Sequence, residues 1–160
     1  MTTTPPTITR PSGCTNLRLR QLMRRVSQRY DAGMSATGLK TTQYSLLSYV
    51  LKLGPLRPGE LAAQMKMDPS TLTRNLKPLV AAGWVEQGAG ADARSRWVSI
   101  TPAGREKRAE ALQHWRLAQT SLNQTLGLER VVALHTLIDE VMALLEPTAE
   151  LDDEEALHAV

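Results

Sequence analysis

Apolar residues recur at spacings of three and four along six stretches of this chain and alternate along two short ones, which predicts a mainly α-helical protein carrying one small β-hairpin. The first stretch, residues 14–34, lines up Leu19, Leu22, Met23, Val26 and Tyr30, flanked by Arg18, Arg20, Arg24, Arg25 and Arg29. A second helix over 41–53 turns Tyr44, Leu47, Val50 and Leu51 inward and stops at Gly54-Pro55. Pro58 opens a third over 58–65, packing through Leu61, Ala62 and Met65. Asp68 is then expected to cap a fourth helix with its side chain, and Pro69 suits a first turn whose N–H has no partner anyway. This helix runs to residue 82 and presents Leu72, Leu76, Leu79 and Val80 to the core. Gly83 ends it, and strands are expected over 84–87 and 96–100 around a small-residue tip at 88–95. Val98 and Ile100 share the core face of the returning strand, while Trp97 and Ser99 face the other way, with Trp97 expected to cover a neighbouring helix rather than meet a nucleic acid. Thr101-Pro102 restarts a helix through Ala109, Leu112, Trp115, Leu122 and Leu126, which Gly127 breaks. The last helix, 128–145, is apolar around more than half its girth, with Leu134, Ile138, Val141 and Leu145 along one side. That exceeds what one small domain has to bury and points to a second subunit.

The centre of this pattern is a short helix, a tight turn, a second helix and a hairpin. The polar side of the second helix, with Ser70, Thr71, Thr73, Arg74 and Lys77, combines short hydroxyls with cations, a surface suited to DNA. Arg74 reaches either a base edge or a phosphate and is the first candidate for base contact, followed by Thr71 and Ser70; Thr73 and Lys77 are candidates for phosphate contact. Charge agrees. The net +3 of the 160 residues conceals six acids among the last fifteen positions, which leaves nineteen basic against ten acidic side chains in residues 1–145, a net +9. A basic body with an acidic tail is a signature of a protein that meets a polyanion.

Other chemistry has few candidates. One cysteine, Cys14, excludes an internal disulfide and a multi-cysteine zinc site, and His114, His135 and His158 have no metal-ligand spacing. No nucleophile, base and orienting group assemble from this set, so neither an enzyme nor a cofactor is expected. The start of the chain lacks the apolar core of a signal peptide, and no uncharged run is long enough to span a bilayer, so a soluble cytoplasmic protein without a membrane partner is expected.

The ordered set of Asp68-Pro69-Ser70-Thr71-Leu72-Thr73-Arg74, Asp92-Ala93-Arg94-Ser95-Arg96 and Ser99-Ile100-Thr101-Pro102-Ala103-Gly104 resembles the multiple-antibiotic-resistance regulator (MarR) family of bacterial transcription factors, over about residues 17–145. The resemblance implies a winged helix-turn-helix in a homodimer, with these boundaries: a flexible arm at 1–12, a helical dimerisation region at 13–38 and 102–146, a DNA-binding domain at 39–101, and an acidic flexible tail at 147–160. It further implies that Asp92 holds Arg94 by a charge-assisted hydrogen bond while Arg94 enters the minor groove of double-stranded DNA, with Arg96 beside them.

Two sensing routes also follow from the resemblance. In the first, a small anionic aromatic effector binds near Arg18, Arg24, Arg25 and Tyr44 and releases a repressor from its pseudo-palindromic site. The second is oxidation of Cys14, at the start of the first helix, with Tyr30 and Tyr44 near it. A winged-helix module used only for protein contacts is the remaining alternative, and Arg74, Lys77 and Arg94 near one face argue against it.

Overall fold

The structure, a computed structural model, describes residues 12–89 and 96–145. The chain divides into two compact units, Met1–Gln119 and Thr120–Val160. Its elements are α1 (Thr15–Met34), a 3-10 turn at Ser35–Thr37, α2 (Thr41–Leu53), α3 (Pro58–Gln64), α4 (Pro69–Ala81), β1 (Val85–Ala89), β2 (Arg96–Ile100), α5 (Pro102–Leu126) and α6 (Leu128–Leu144). The mainly helical class with one antiparallel hairpin is therefore as predicted. Three expectations fall on residues outside those described: the N-terminal arm up to residue 11, the wing tip with Asp92 and Arg94, and the acidic tail. No helix among the described residues is long and apolar enough to cross a membrane.

In the first unit the core forms where the predicted stripes meet. Leu46, Leu47 and Val50 of α2, Leu61 and Ala62 of α3, Leu72, Leu76 and Leu79 of α4, and Val85, Val98 and Ile100 of the hairpin are buried together with Ala111 of α5. Each fully buried leucine contributes roughly 1.5–3 kcal/mol relative to an exposed one. Leu56 adds a single bridge to the hairpin, exchanging both backbone hydrogen bonds with Val98 at 3.2 and 2.9 Å. Lys40 precedes α2 but offers no side-chain acceptor; Asp31, ten residues upstream on α1, caps the helix instead, its Oδ1 accepting from the Thr41 N–H and hydroxyl at 2.8 Å each. Gly33 lies so close to α5 that an added Cβ would stand 2.8 Å from the Ala118 Cβ.

Along the α1 stripe Val26 and Tyr30 are half-buried, while Leu19, Leu22 and Met23 are 56, 42 and 67% exposed, on a helix assigned from sequence to the dimerisation region. Three expectations are corrected. Val80 is exposed, one residue and so about 100° past the buried Leu79. Ala109 is exposed while Ala111 is buried, so the inward line of α5 runs through Gly104, Ala111, Leu112 and Trp115. Asp68 occupies the position before α4 in an extended conformation but makes no side-chain cap. Its carboxylate is exposed to water, and its backbone carbonyl starts the ladder by accepting from Leu72 at 3.0 Å.

The second unit is described by itself. Asn123 accepts from the Gly127 N–H at 2.8 Å where the helix breaks, and Arg130 donates back to the Leu126 carbonyl at 3.1 Å. On α6 Val131 is buried and Leu134 half-buried, whereas Val132, Leu137, Ile138, Val141 and Met142 are 57, 57, 44, 41 and 44% exposed.

Candidate nucleic-acid interface

α3 and α4 are joined by a turn whose backbone is fully specified. Met65 closes α3 instead of belonging to it, Lys66 takes a left-handed conformation with φ 49°, and the Met67 N–H returns to the Ala62 carbonyl at 2.9 Å. That reversal points the chain into Asp68 and the proline-started α4. With Leu72, Leu76 and Leu79 at 1, 2 and 0% exposure, the opposite side of α4 is fixed toward solvent. Ser70, Thr73, Arg74 and Lys77, all exposed, are spaced i, i+3, i+4 and i+7 and so form a stripe of their own. Thr71 lies about a quarter-turn aside and is half-buried. The Thr73 hydroxyl donates to the Pro69 carbonyl at 2.8 Å, which leaves its oxygen lone pairs as acceptors. Pro78 also faces out, where water can serve the Arg74 carbonyl that it leaves without an N–H donor. Among the described residues no carboxylate pairs with Arg74 or Lys77.

The hairpin lies directly after this helix. The Gly83 N–H bonds Val80 O at 2.9 Å and the Trp84 N–H bonds Leu79 O at 3.0 Å, with Gly83 at φ +71°, the paired closure that ends a helix on a left-handed residue. Trp84 is thereby taken out of the strand to which it was assigned. β1 begins at Val85 and runs two residues further than expected, through Gly88 and Ala89, since ladder pairing with Trp97 and Arg96 needs backbone and no side chain. Arg96 is exposed at the wing's far end, and Ser99 donates to the Glu86 carboxylate at 3.1 Å. Trp97 is half-buried with the Arg57 guanidinium 5.8 Å from its ring centroid, so it covers the residue that opens α3.

Thr101 ties helix, wing and α5 together. Its hydroxyl donates to the Gly83 carbonyl at 2.7 Å and accepts from the Gly104 N–H at 3.0 Å, and its own N–H reaches the Trp84 carbonyl at 3.1 Å. A Cβ on Gly104 would lie 2.0 Å from that carbonyl oxygen, so only glycine permits the contact. Lys107 stacks over the Trp84 ring at 5.5 Å and pairs with Glu110 at 3.0 Å.

The proposed sensing residues are not brought together. Arg18, Arg24 and Arg25 lie exposed on α1, Arg18 donating to Ser12 at 3.2 Å, whereas Tyr44 is 5% exposed in the core, stacked on Trp115 at 5.8 Å. The cation beside Tyr44 is Arg108, 5.7 Å from its ring and donating to Ser48 Oγ at 3.2 Å. Arg108 was missed from sequence although it precedes Leu112 and Trp115 by four and seven residues, a cation on an apolar stripe. It borders a hollow of about 570 Å3 with residues of α2 and Gln64. Cys14 is exposed at the start of α1, and Tyr30 stands sixteen residues along the same helix, roughly 24 Å away at 1.5 Å per residue. Tyr30 is engaged elsewhere, donating to Gln119 Oε1, and burial raises its phenol above the ordinary value.

Comparison with known proteins places this geometry. A sequence profile described as MarR family matches residues 37–95. The HTH-type transcriptional regulator YwoH of Bacillus subtilis (strain 168) is 27% identical over 92 residues, 58% of this chain and 67% of that protein. The M. tuberculosis transcriptional regulator MosR, solved in complex with DNA, is 31% identical with a TM-score of 0.66, over 81% of this chain and 98% of that one. A probable transcriptional regulator from Pseudomonas aeruginosa is 26% identical with a TM-score of 0.73, over 82% and 99% of the two chains.

Proposed function

This chain belongs to the MarR family, whose members are DNA-binding transcriptional regulators and not enzymes, and from that premise we propose that it acts as a homodimeric repressor released by a small-molecule effector. The observation that carries the DNA-binding reading is the exposed stripe of Ser70, Thr73, Arg74 and Lys77 opposite the buried leucines of α4. An α-helix fits the major groove, where each base pair shows a distinct donor and acceptor pattern, so Arg74 is the base reader, joined at the helix start by Ser70 and at its edge by Thr71. Lys77 and Thr73 take phosphates, which position without reading sequence. Arg94, oriented by Asp92 and followed by Arg96, enters the adjacent minor groove.

Two copies present two such helices, and the apolar residues left exposed on α1 and α6 support their association. The site is then a pseudo-palindrome with half-sites about 10 bp apart, centre to centre. The M. tuberculosis relative solved in complex with DNA supports the DNA-binding part of this reading. An effector lowers DNA affinity by binding better to the state whose helices do not match that spacing.

Anisotropy titration of a selected duplex at two salt concentrations tests the assignments. Arg94→Ala is expected to weaken binding strongly with the fold intact. Arg74→Ala is expected to cost about 1–3 kcal/mol and relax preference at one base position. A loss that is uniform across sequences makes Arg74 a phosphate contact, and wild-type affinity in Arg94→Ala at moderate salt refutes the wing assignment.

A further inference from the structure

We propose that Arg57, held in place by Trp97, is a phosphate clamp at the joint between the helix-turn-helix and the wing. The placement follows from strand geometry. Leu56 bridges Val98 in antiparallel sense, so the next residue, Arg57, falls beside Trp97, one step toward the wing's far end and Arg96. Arg57 is itself extended, with φ -72° and ψ 146°, and successive side chains of extended backbone point to opposite faces. Leu56 and Val98 are buried in the core, which puts Arg57 and Trp97 together on the outer face; the Arg57 guanidinium lies 5.8 Å from the Trp97 ring centroid.

What this cation lacks is an acid. Arg57 is exposed, and among the described residues no carboxylate pairs with its guanidinium. Glu60, the nearest acid in sequence, accepts instead from the Arg57 backbone N–H at 3.0 Å. A guanidinium that lies over a ring keeps its N–H donors, which are in its own plane, for a second partner, and their fork suits a phosphate. The ring also removes part of the rotamer freedom that an exposed arginine would otherwise lose on binding.

Duplex DNA is the polyanion that completes this arrangement, a step that rests on the DNA-binding reading of α4. With α4 in the major groove and the wing in the adjacent minor groove, the sugar-phosphate strand that separates the grooves runs past whatever joins those two elements. α3 packs against both α4 and β2, and Arg57 stands where α3 begins. A side chain there meets phosphate oxygens and not the base edges on the groove floors, so Arg57 adds affinity and register without reading sequence. Trp97 touches no DNA and is a positioning residue.

Fluorescence anisotropy of the full chain tests the clamp on two labelled duplexes, one selected from a random pool and one unselected, over a series of sodium chloride concentrations. Arg57→Gln is expected to weaken both duplexes by the same factor, about five- to tenfold, and to make the slope of log affinity against log salt shallower by about one per chain. Trp97→Leu keeps an apolar cover on the hairpin but no ring. It should cost about threefold in the wild-type background and nothing further in Arg57→Gln, and Trp97→Phe should restore most of the loss. Thermal denaturation accompanies each variant; Arg57 is exposed, so Arg57→Gln decides the matter if Trp97→Leu fails to fold. Unchanged affinity or an unchanged salt slope in Arg57→Gln overturns the clamp, as does a loss confined to the selected duplex. An equal loss from Trp97→Leu in both backgrounds, or no restoration by Trp97→Phe, overturns the positioning role. No binding of either duplex by the wild type overturns the DNA-binding reading and the clamp with it, so the wild-type titration tells the two failures apart.

Discussion

The helix-turn-helix with its wing and the pair of helices α1 and α6 carry similar apolar patterns but end differently. In the first, Leu47, Leu61, Leu72, Leu76, Leu79 and Val98 are all 2% exposed or less, so the pattern is satisfied within one chain. In the second, Leu19 and Met23 of α1 and Val132, Leu137 and Ile138 of α6 stay 44–67% exposed. The spacing of apolar residues is helical in both. What differs is exposure: the lobe of helix-turn-helix and wing buries its stripes, whereas α1 and α6 each leave much of theirs in water, as the proposed association of two copies requires.

Three substitutions sharpen or break that contrast. Leu72→Ala removes a side chain 1% exposed at the centre of the lobe and should destabilise it by about 2–5 kcal/mol in chemical denaturation. A cost under 1 kcal/mol would mean that the lobe's core is far looser than its burial indicates. Ile138→Glu, on the exposed face of α6, should leave the folding of a single chain within about 0.5 kcal/mol. Its association should weaken by about a hundredfold or more, read by sedimentation across a concentration series, because the charge would be buried unpaired between copies. An unchanged sedimentation profile would show that this face stays in water. The smallest effect belongs to the junction of lobe and α5: Thr101→Val deletes a cap and should cost about 1 kcal/mol, with Thr101→Ser restoring most of it.

The same contrast explains what could be read from sequence. Leu72, Leu76 and Leu79 were legible because a three-and-four spacing between a proline-started turn and Gly83 admits one inward face. Thr101-Pro102 was legible because a cap is a local event. The stripe of Leu19, Leu22 and Met23 was legible as a face, and these residues stay exposed, since periodicity identifies a face and not what covers it. Asp31 capping α2 and Arg108 approaching Ser48 depend on contacts ten and sixty residues apart, beyond any local pattern. Of the α4 residues proposed to meet DNA, the exposed stripe of Ser70, Thr73, Arg74 and Lys77 follows from the helical period alone, whereas the structure was needed to set half-buried Thr71 aside from it.

The central claim is that two copies read one pseudo-palindrome, each through the exposed stripe of α4. Selection from random duplexes, followed by sedimentation of the complex at two salt concentrations, addresses it directly. The expected result is an enriched inverted repeat with half-sites about 10 bp apart, bound by two chains with an affinity that falls steeply as salt rises. Failure to enrich any sequence, or a single chain bound per duplex with the same affinity for every sequence, would contradict it.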